Sequence, residues 1–303
     1  MPAALKARFV QRALATAVLC VSLAACHPAI SAEDTEAGIF AFEAEYKASF
    51  ANGDSCIIAS KLHGYEPLRP GRYPLFIYTV GTFGVHDGAE GDLIAREMAR
   101  RGFVAVSARY QNFLLDSCEP LVNKTRCIYD SARDTSATSV LCGREKADCS
   151  KGIVVGGMSQ GAQVALQARN FDGRVRAAWV MGGTHVDGKM SACVNQGPGR
   201  ALGGDRVRMI NGNADEFAPA GTGLAITGLG CEEGARSCFR ENGSGWYLVQ
   251  GDEVRDGTAD HCYFTTNGGC TNTPDFDPGW APPARGPWSL ATNLDWLASF
   301  ADR

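Results

Sequence analysis

Ser159 lies in Gly157-Met158-Ser159-Gln160-Gly161, which fits G-x-S-x-G. A serine hydroxyl is a weak nucleophile until a base removes its proton. The usual base is a histidine whose tautomer and developing charge are held by a carboxylate. Outside the leader, His63, His86, His185 and His261 are the candidate bases, and Asp215 and Glu216, in Asn-Gly-Asn-Ala-Asp-Glu, are candidate acids. Such a set could run acyl transfer: the serine attacks a carbonyl, the histidine takes the proton and returns it to the leaving group, and the carboxylate orients the imidazole. His27 sits at the leader, His63 reads as a surface residue, and His86 as structural or substrate-facing.

Such groups act together only if the chain brings them to one edge. Ile153-Val154-Val155 is a short β-branched run bounded by glycine, which reads as a buried strand. Ala162, Val164, Ala165 and Leu166 follow among good helix formers, so Ser159 falls at a strand-to-helix turn. That turn is sharp, and the small residues Gly157 and Gly161 let the chain pass. The new helix N-terminus would set free N–H groups beside the hydroxyl. Tyr73 to Val80 and Phe103 to Ala108 read as strands flanking a helix over Ala89 to Arg101, closed by Gly102. Strand, helix, strand implies a parallel sheet. Further strands are expected at Val175–Met181, Arg206–Ile210 and Trp246–Gln250. Helices are expected at Ile128–Leu141, Pro219–Thr227 and Trp288–Phe300, with a loop over 111–127 and a helix plus an edge strand over 33–60. Asp215 and His261 each follow a predicted strand. Open α/β sheets place their sites at the carboxyl ends of strands.

From about Leu75 onward the chain resembles the α/β-hydrolase superfamily, in particular its secreted esterase and dienelactone-hydrolase-like branch. The resemblance rests on PLFIY followed by VGTFG, on RRGFVAVSARY, on GGMSQG, on NGNADEF and on ADHCYF. It implies an α/β-hydrolase fold: a mostly parallel central sheet, helices on both faces, and a small or absent cap. It implies a triad in the order Ser, acid, His, met here by Ser159, Asp215 and His261. It also implies an oxyanion hole made by the backbone N–H of Gln160 and of Thr82, with Phe83 the alternative to Thr82. Val80 stands where the family commonly has histidine. Phe83 is a candidate substrate-binding side chain, and equally a candidate core one. Tyr110, Phe113, Tyr263, Trp280 and Trp288 could line a groove or simply fill the core.

The expected activity is a serine hydrolase cleaving carboxylic esters, small or polymeric. A peptidase or acyltransferase could use the same triad, and a non-catalytic binding protein could retain the scaffold. No cofactor or metal is called for. Asp275 and Asp277 are too few for calcium, and the cysteine spacing is not that of a zinc site. The 303 residues carry a net charge of −4 without a basic block, which argues against nucleic acid as a partner. Oligomeric state is not legible.

Residues 1–25 read as a signal peptide, with Lys6, Arg8 and Arg12 ahead of an apolar run from Ala13 to Ala25. Leu23-Ala24-Ala25-Cys26 resembles a bacterial lipobox. That implies cleavage before Cys26 and membrane attachment through its lipidated sulfur; cleavage near Ala32 is the alternative. The remainder, 33–303, is expected to be one domain, exported to the periplasm, anchored to the membrane or secreted. Twelve cysteines agree with an oxidising compartment. Local spacing suggests Cys118–Cys127, Cys142–Cys149, Cys231–Cys238 and Cys262–Cys270, which leaves Cys56 with Cys193.

Overall fold

The computed structural model describes residues 38–49, 56–113, 118–183, 193–194, 200–218, 220–232, 234–267, 269–270 and 275–303. The leader, Cys26 and His185 lie outside them, as does most of the segment that could form a cap. No helix among the described residues is long and apolar enough to cross a membrane.

Nine strands form one sheet: β1 (Ile39–Ala48), β2 (Ile58–Pro67), β3 (Leu75–Thr79), β4 (Val104–Ala108), β5 (Ile153–Met158), β6 (Val175–Met181), β7 (Val207–Gly212), β8 (Ser237–Phe239) and β9 (Gly245–Val249). Their spatial order is β1-β2-β4-β3-β5-β6-β7-β9-β8. The block from β4 to β9 is parallel throughout, while β1, β2 and β8 add antiparallel edges. Every residue of β3, β4, β5 and β7 is buried, as expected where helices cover both faces of a parallel sheet.

The helices are α1 (Ala89–Arg100), α2 (Cys118–Tyr129), α3 (Ala137–Cys142), α4 (Gln160–Gln167), α5 (Ala220–Thr227) and α6 (Leu290–Ala298). The β3-to-β4 step runs one way across the sheet and the β5-to-β6 step runs the other. Right-handed crossovers therefore put α1 and α4 on opposite faces. The fold is that of an α/β-hydrolase, and the direction of its winding reverses between β3 and β5, where the nucleophile candidate sits.

Several expectations need correction. Residues 39–67 form two paired strands, Ile39 opposite Pro67 through Ala48 opposite Ile58, and not a helix and an edge strand. Residues 118–129 are helix, where a loop was expected, and Ile128–Leu141 is interrupted between α2 and α3. The helix also corrects the disulfides. Cys118 and Cys127 are nine residues apart on α2, roughly 13 Å along its axis, too far for a bridge. The pairs are instead Cys56–Cys127 and Cys118–Cys193; Cys142–Cys149, Cys231–Cys238 and Cys262–Cys270 are as expected.

His63 is not a free surface residue. It lies on β2 with Nδ1 2.5 Å from Glu43 and Nε2 2.9 Å from Asp92, and Tyr65 donates its hydroxyl to the same Asp92 oxygen. The hydrogen bond to Asp92, opposed by burial and reinforced by Glu43, raises the imidazole to about 9. A folded value above the unfolded one near 6.5 gives stabilisation that is full below about pH 6.5 and lost as pH rises through about 9. The stability difference between wild type and His63→Gln should therefore shrink across that window in urea titrations. A difference that is flat with pH would show that His63 is not charged in the fold.

Candidate active site

The turn after β5 has the geometry that the sequence requires of it. Ser159 adopts φ 54° and ψ −119°, a left-handed conformation that costs a non-glycine residue and persists only where the surroundings enforce it. Here the Ser159 N–H donates to Met181 O at 2.8 Å. Thr79 Oγ1 donates to Gly161 O at 2.8 Å. A Cβ on Gly161 would come 1.9 Å from Thr79 O, so only glycine allows α4 to cross the end of β3 this closely. The serine precedes α4, yet its side chain does not cap that helix.

Asp215 follows β7 and is buried. Its Oδ1 accepts the N–H groups of Phe217 at 2.9 Å and Ala218 at 2.8 Å, which fixes the carboxylate plane. Its Oδ2 lies 2.8 Å from His261 Nδ1. The carboxylate thus holds the ring so that Nε2 is the nitrogen left for other work. Glu216 is exposed. The loop that bears His261 is tied to the β7 end, Ala214 N donating to Ala259 O at 2.9 Å, and is closed behind by Cys262–Cys270.

The imidazole and the serine meet the same dipeptide. Met181 accepts from the Ser159 N–H, and the next residue, Gly182, has φ 54°. A Cβ built on Gly182 would sit 2.9 Å from His261 Cε1 and 3.4 Å from Asp215 Oδ2. The glycine is the surface on which the histidine ring rests. Ser159, Asp215 and His261, far apart in sequence, are gathered at the carboxyl ends of β5, β6 and β7.

Opposite them, the loop after β3 approaches the serine: a Cβ on Gly81 would lie 3.2 Å from Ser159 Cβ. Phe83 N–H is engaged by Asn112 O at 3.1 Å, while Thr82 N–H has no backbone partner among the described residues. Of the two candidates for the second oxyanion donor, Thr82 is therefore the one with a hydrogen to offer. The loop is braced from several sides. Asn112 Nδ2 donates to Gly81 O at 2.6 Å and Gly84 O at 2.8 Å, and Tyr110 donates to Val80 O at 2.7 Å. Gln160 Nε2 donates to Thr82 Oγ1 at 3.0 Å and to Phe113 O at 2.7 Å. Lys124 Nζ donates to Gln160 Oε1 at 3.2 Å; it is buried, and loss of hydration lowers its ammonium to about 8. One side chain, Gln160, thereby links the two loops that would supply oxyanion donors.

His86 is buried, with Nδ1 3.4 Å from Asp87, beside a cavity of about 530 Å³ lined also by Val80, Gly84, Val85, Arg109 and Phe113. Phe83 is 58% exposed and so is not a core side chain. Tyr110, Tyr263, Trp280 and Trp288 are buried, and only Phe113 of that aromatic set is presented to solvent. Asp277 is buried and accepts from Arg255 N and Gly279 N, a loop-tying role. Sequence reasoning missed Lys124 and Asn112, which carry no motif of their own, and Phe217, whose ring centroid lies 5.1 Å from that of His261. The aromatic two residues past the acid in Asp-Glu-Phe was the available signal.

No protein-family model matches the chain, and no curated protein does. Among solved structures, it is similar to a hypothetical protein from Pseudomonas aeruginosa at 19% identity and TM-score 0.38, over 53% of this chain and 46% of that one. The chain thus spans less than half the length of that protein. It is also similar to a protein from Klebsiella pneumoniae described as a "Putative Dienelactone Hydrolase", at 16% identity and TM-score 0.40, over 62% of this chain and 79% of that one. At these levels the likenesses carry no functional weight, and the reading of the site rests on its own geometry.

Proposed function

We propose that this protein is a serine hydrolase that cleaves carboxylic esters through an acyl-enzyme. The observation that carries the proposal is the Asp215–His261 pair resting on Gly182, the residue after the one that accepts the Ser159 N–H. Ser159 attacks the ester carbonyl while His261 Nε2 takes its proton. The carbonyl oxygen, now negative, is met by the N–H groups of Gln160 and Thr82. His261 then protonates the departing alcohol. Water, deprotonated by the same imidazole, attacks the acyl-enzyme; the Ser159 ester bond breaks, His261 returns the proton to Ser159 Oγ, and the acid leaves. Asp215 stays ionised and stabilises the imidazolium at both steps. The five disulfides suit an oxidising compartment. With the leader they support export; a single hydrolase domain over 33–303 and lipid attachment at Cys26 are further parts of the proposal.

Purified protein assayed against paired esters and amides of one acyl group tests this. Ester turnover with a burst of alcohol release is the expected result. Preference for the amide would move the reading to a peptidase, and inertness toward both would end the proposal.

A further inference from the structure

Three phenyl rings stand exposed around this site: Phe83 at 58%, Phe113 at 55% and Phe217 at 54%. Scattered surface apolar residues need no explanation, but these three are not scattered. Phe83 and Phe113 face each other edge-on at 6.4 Å, and Phe217 tilts against His261 at 5.1 Å. Nor are the first two loosely held. Phe83 sits at φ 60°, where a bulky residue is disfavoured, and its N–H is fixed by Asn112 O; Phe113 O is fixed by Gln160. The fold therefore accepts backbone strain in order to hold an apolar ring out of its core beside the oxyanion loop.

The sheet order separates the rings into two walls. Phe83 and Phe113 follow β3 and β4, on one side of the Ser159 strand; Phe217 follows β7, on the other. The strand ends of β3 and β7 are three spacings apart, roughly 14 Å. The chemistry gives each wall a side of the ester. The leaving oxygen must face the imidazole that protonates it, so Phe217 lies toward the alcohol. The acyl group then extends toward Phe83 and Phe113, beside the cavity that Phe113 borders.

We propose that these rings form an aromatic-walled cleft that selects esters bearing a flat apolar ring on the acyl group, received by Phe83 and Phe113, with Phe217 receiving the alcohol side. This rests on the catalytic reading given above. A benzoyl group can stack on or meet these rings edge-on, a contact that acetyl cannot make.

The test compares p-nitrophenyl benzoate with p-nitrophenyl acetate, which share a leaving group. Phe83→Ala and Phe113→Ala should each lower the benzoate-to-acetate ratio of kcat/KM by about two- to twelvefold. Phe217→Ala should leave that ratio within about twofold and lower the ratio of phenyl acetate to ethyl acetate instead. Unchanged ratios in both acyl-side variants would overturn the proposal. A second arm needs no turnover: ligand-observed NMR of methyl benzoate with Ser159→Ala protein should show binding that methyl acetate lacks and that added Phe83→Ala and Phe113→Ala changes remove. Equal binding with and without the rings would overturn the proposal. If Ser159→Ala protein still hydrolyses methyl benzoate, the catalytic reading fails, and the effect of removing the rings still decides the aromatic one.

Discussion

Replacing His261 by alanine is expected to lower kcat on an unactivated alkyl ester by about 10⁴-fold or more, and Asp215→Asn by about 10⁴-fold. The two losses have different origins. Without His261 no group takes the Ser159 proton. In the Asp215→Asn variant the ring is held by a neutral amide, which can present the wrong tautomer and cannot stabilise the imidazolium. Asp215 also accepts two backbone N–H groups through Oδ1, at 2.8 and 2.9 Å, and asparagine keeps an oxygen for them. Asparagine is therefore the informative replacement, since alanine would leave buried donors unsatisfied and confuse stability with catalysis. Glu216→Gln, at an exposed neighbour, should stay within about twofold of wild type, because a carboxylate turned to solvent has little to act through. Steady-state kinetics with matched urea titrations separate these outcomes. A Glu216 variant as damaged as the Asp215 variant would reassign the acid.

The second large effect is structural. A methyl group on Gly161 would sit 1.9 Å from Thr79 O and 2.5 Å from Val80 O, both backbone atoms at the end of β3. Backbone carbonyls in the sheet centre cannot swing aside as the tip of a side chain can. Gly161→Ala should cost about 3 kcal/mol or more, the range of severe overpacking, or yield no soluble protein. Gly173→Ala is the control, because nothing lies within 4 Å of a Cβ there. Urea denaturation of the two variants measures the contrast. Equal stability would mean that β3 and α4 do not approach as described.

The sequence made the centre of this fold readable because its signals there are local. The Ile153-Val154-Val155 run, the small residues at 157 and 161 and the good helix formers that open α4 each announce their conformation within a few residues. The edges were harder. In β1 the buried residues Ile39, Phe42 and Tyr46 are spaced three and four apart, a helical pattern, and it is pairing with β2 that makes them a strand. The helix α2 was hidden by Pro120, which usually breaks helices but is tolerated here in the first turn. Missing that helix made the Cys118–Cys127 pairing look natural. Disulfides between distant elements, such as Cys56–Cys127 across 71 residues, carry no local signal at all. The same holds within the site. Ser159, Asp215 and His261 stand out as candidates because their chemistry and order are distinctive. The braces from Asn112, Gln160 and Lys124 consist of ordinary polar side chains whose partners come from other loops.

Catalysis as proposed requires that a hydroxyl at the β5 turn be activated by an imidazole held on Gly182. Labelling the folded protein with a fluorophosphonate, then locating the adduct by peptide mass, tests that most directly. The expected result is one adduct, on Ser159, formed at a rate that collapses in the His261→Ala variant. Absence of labelling, labelling at another serine, or labelling of Ser159 at the same rate without His261 would contradict it.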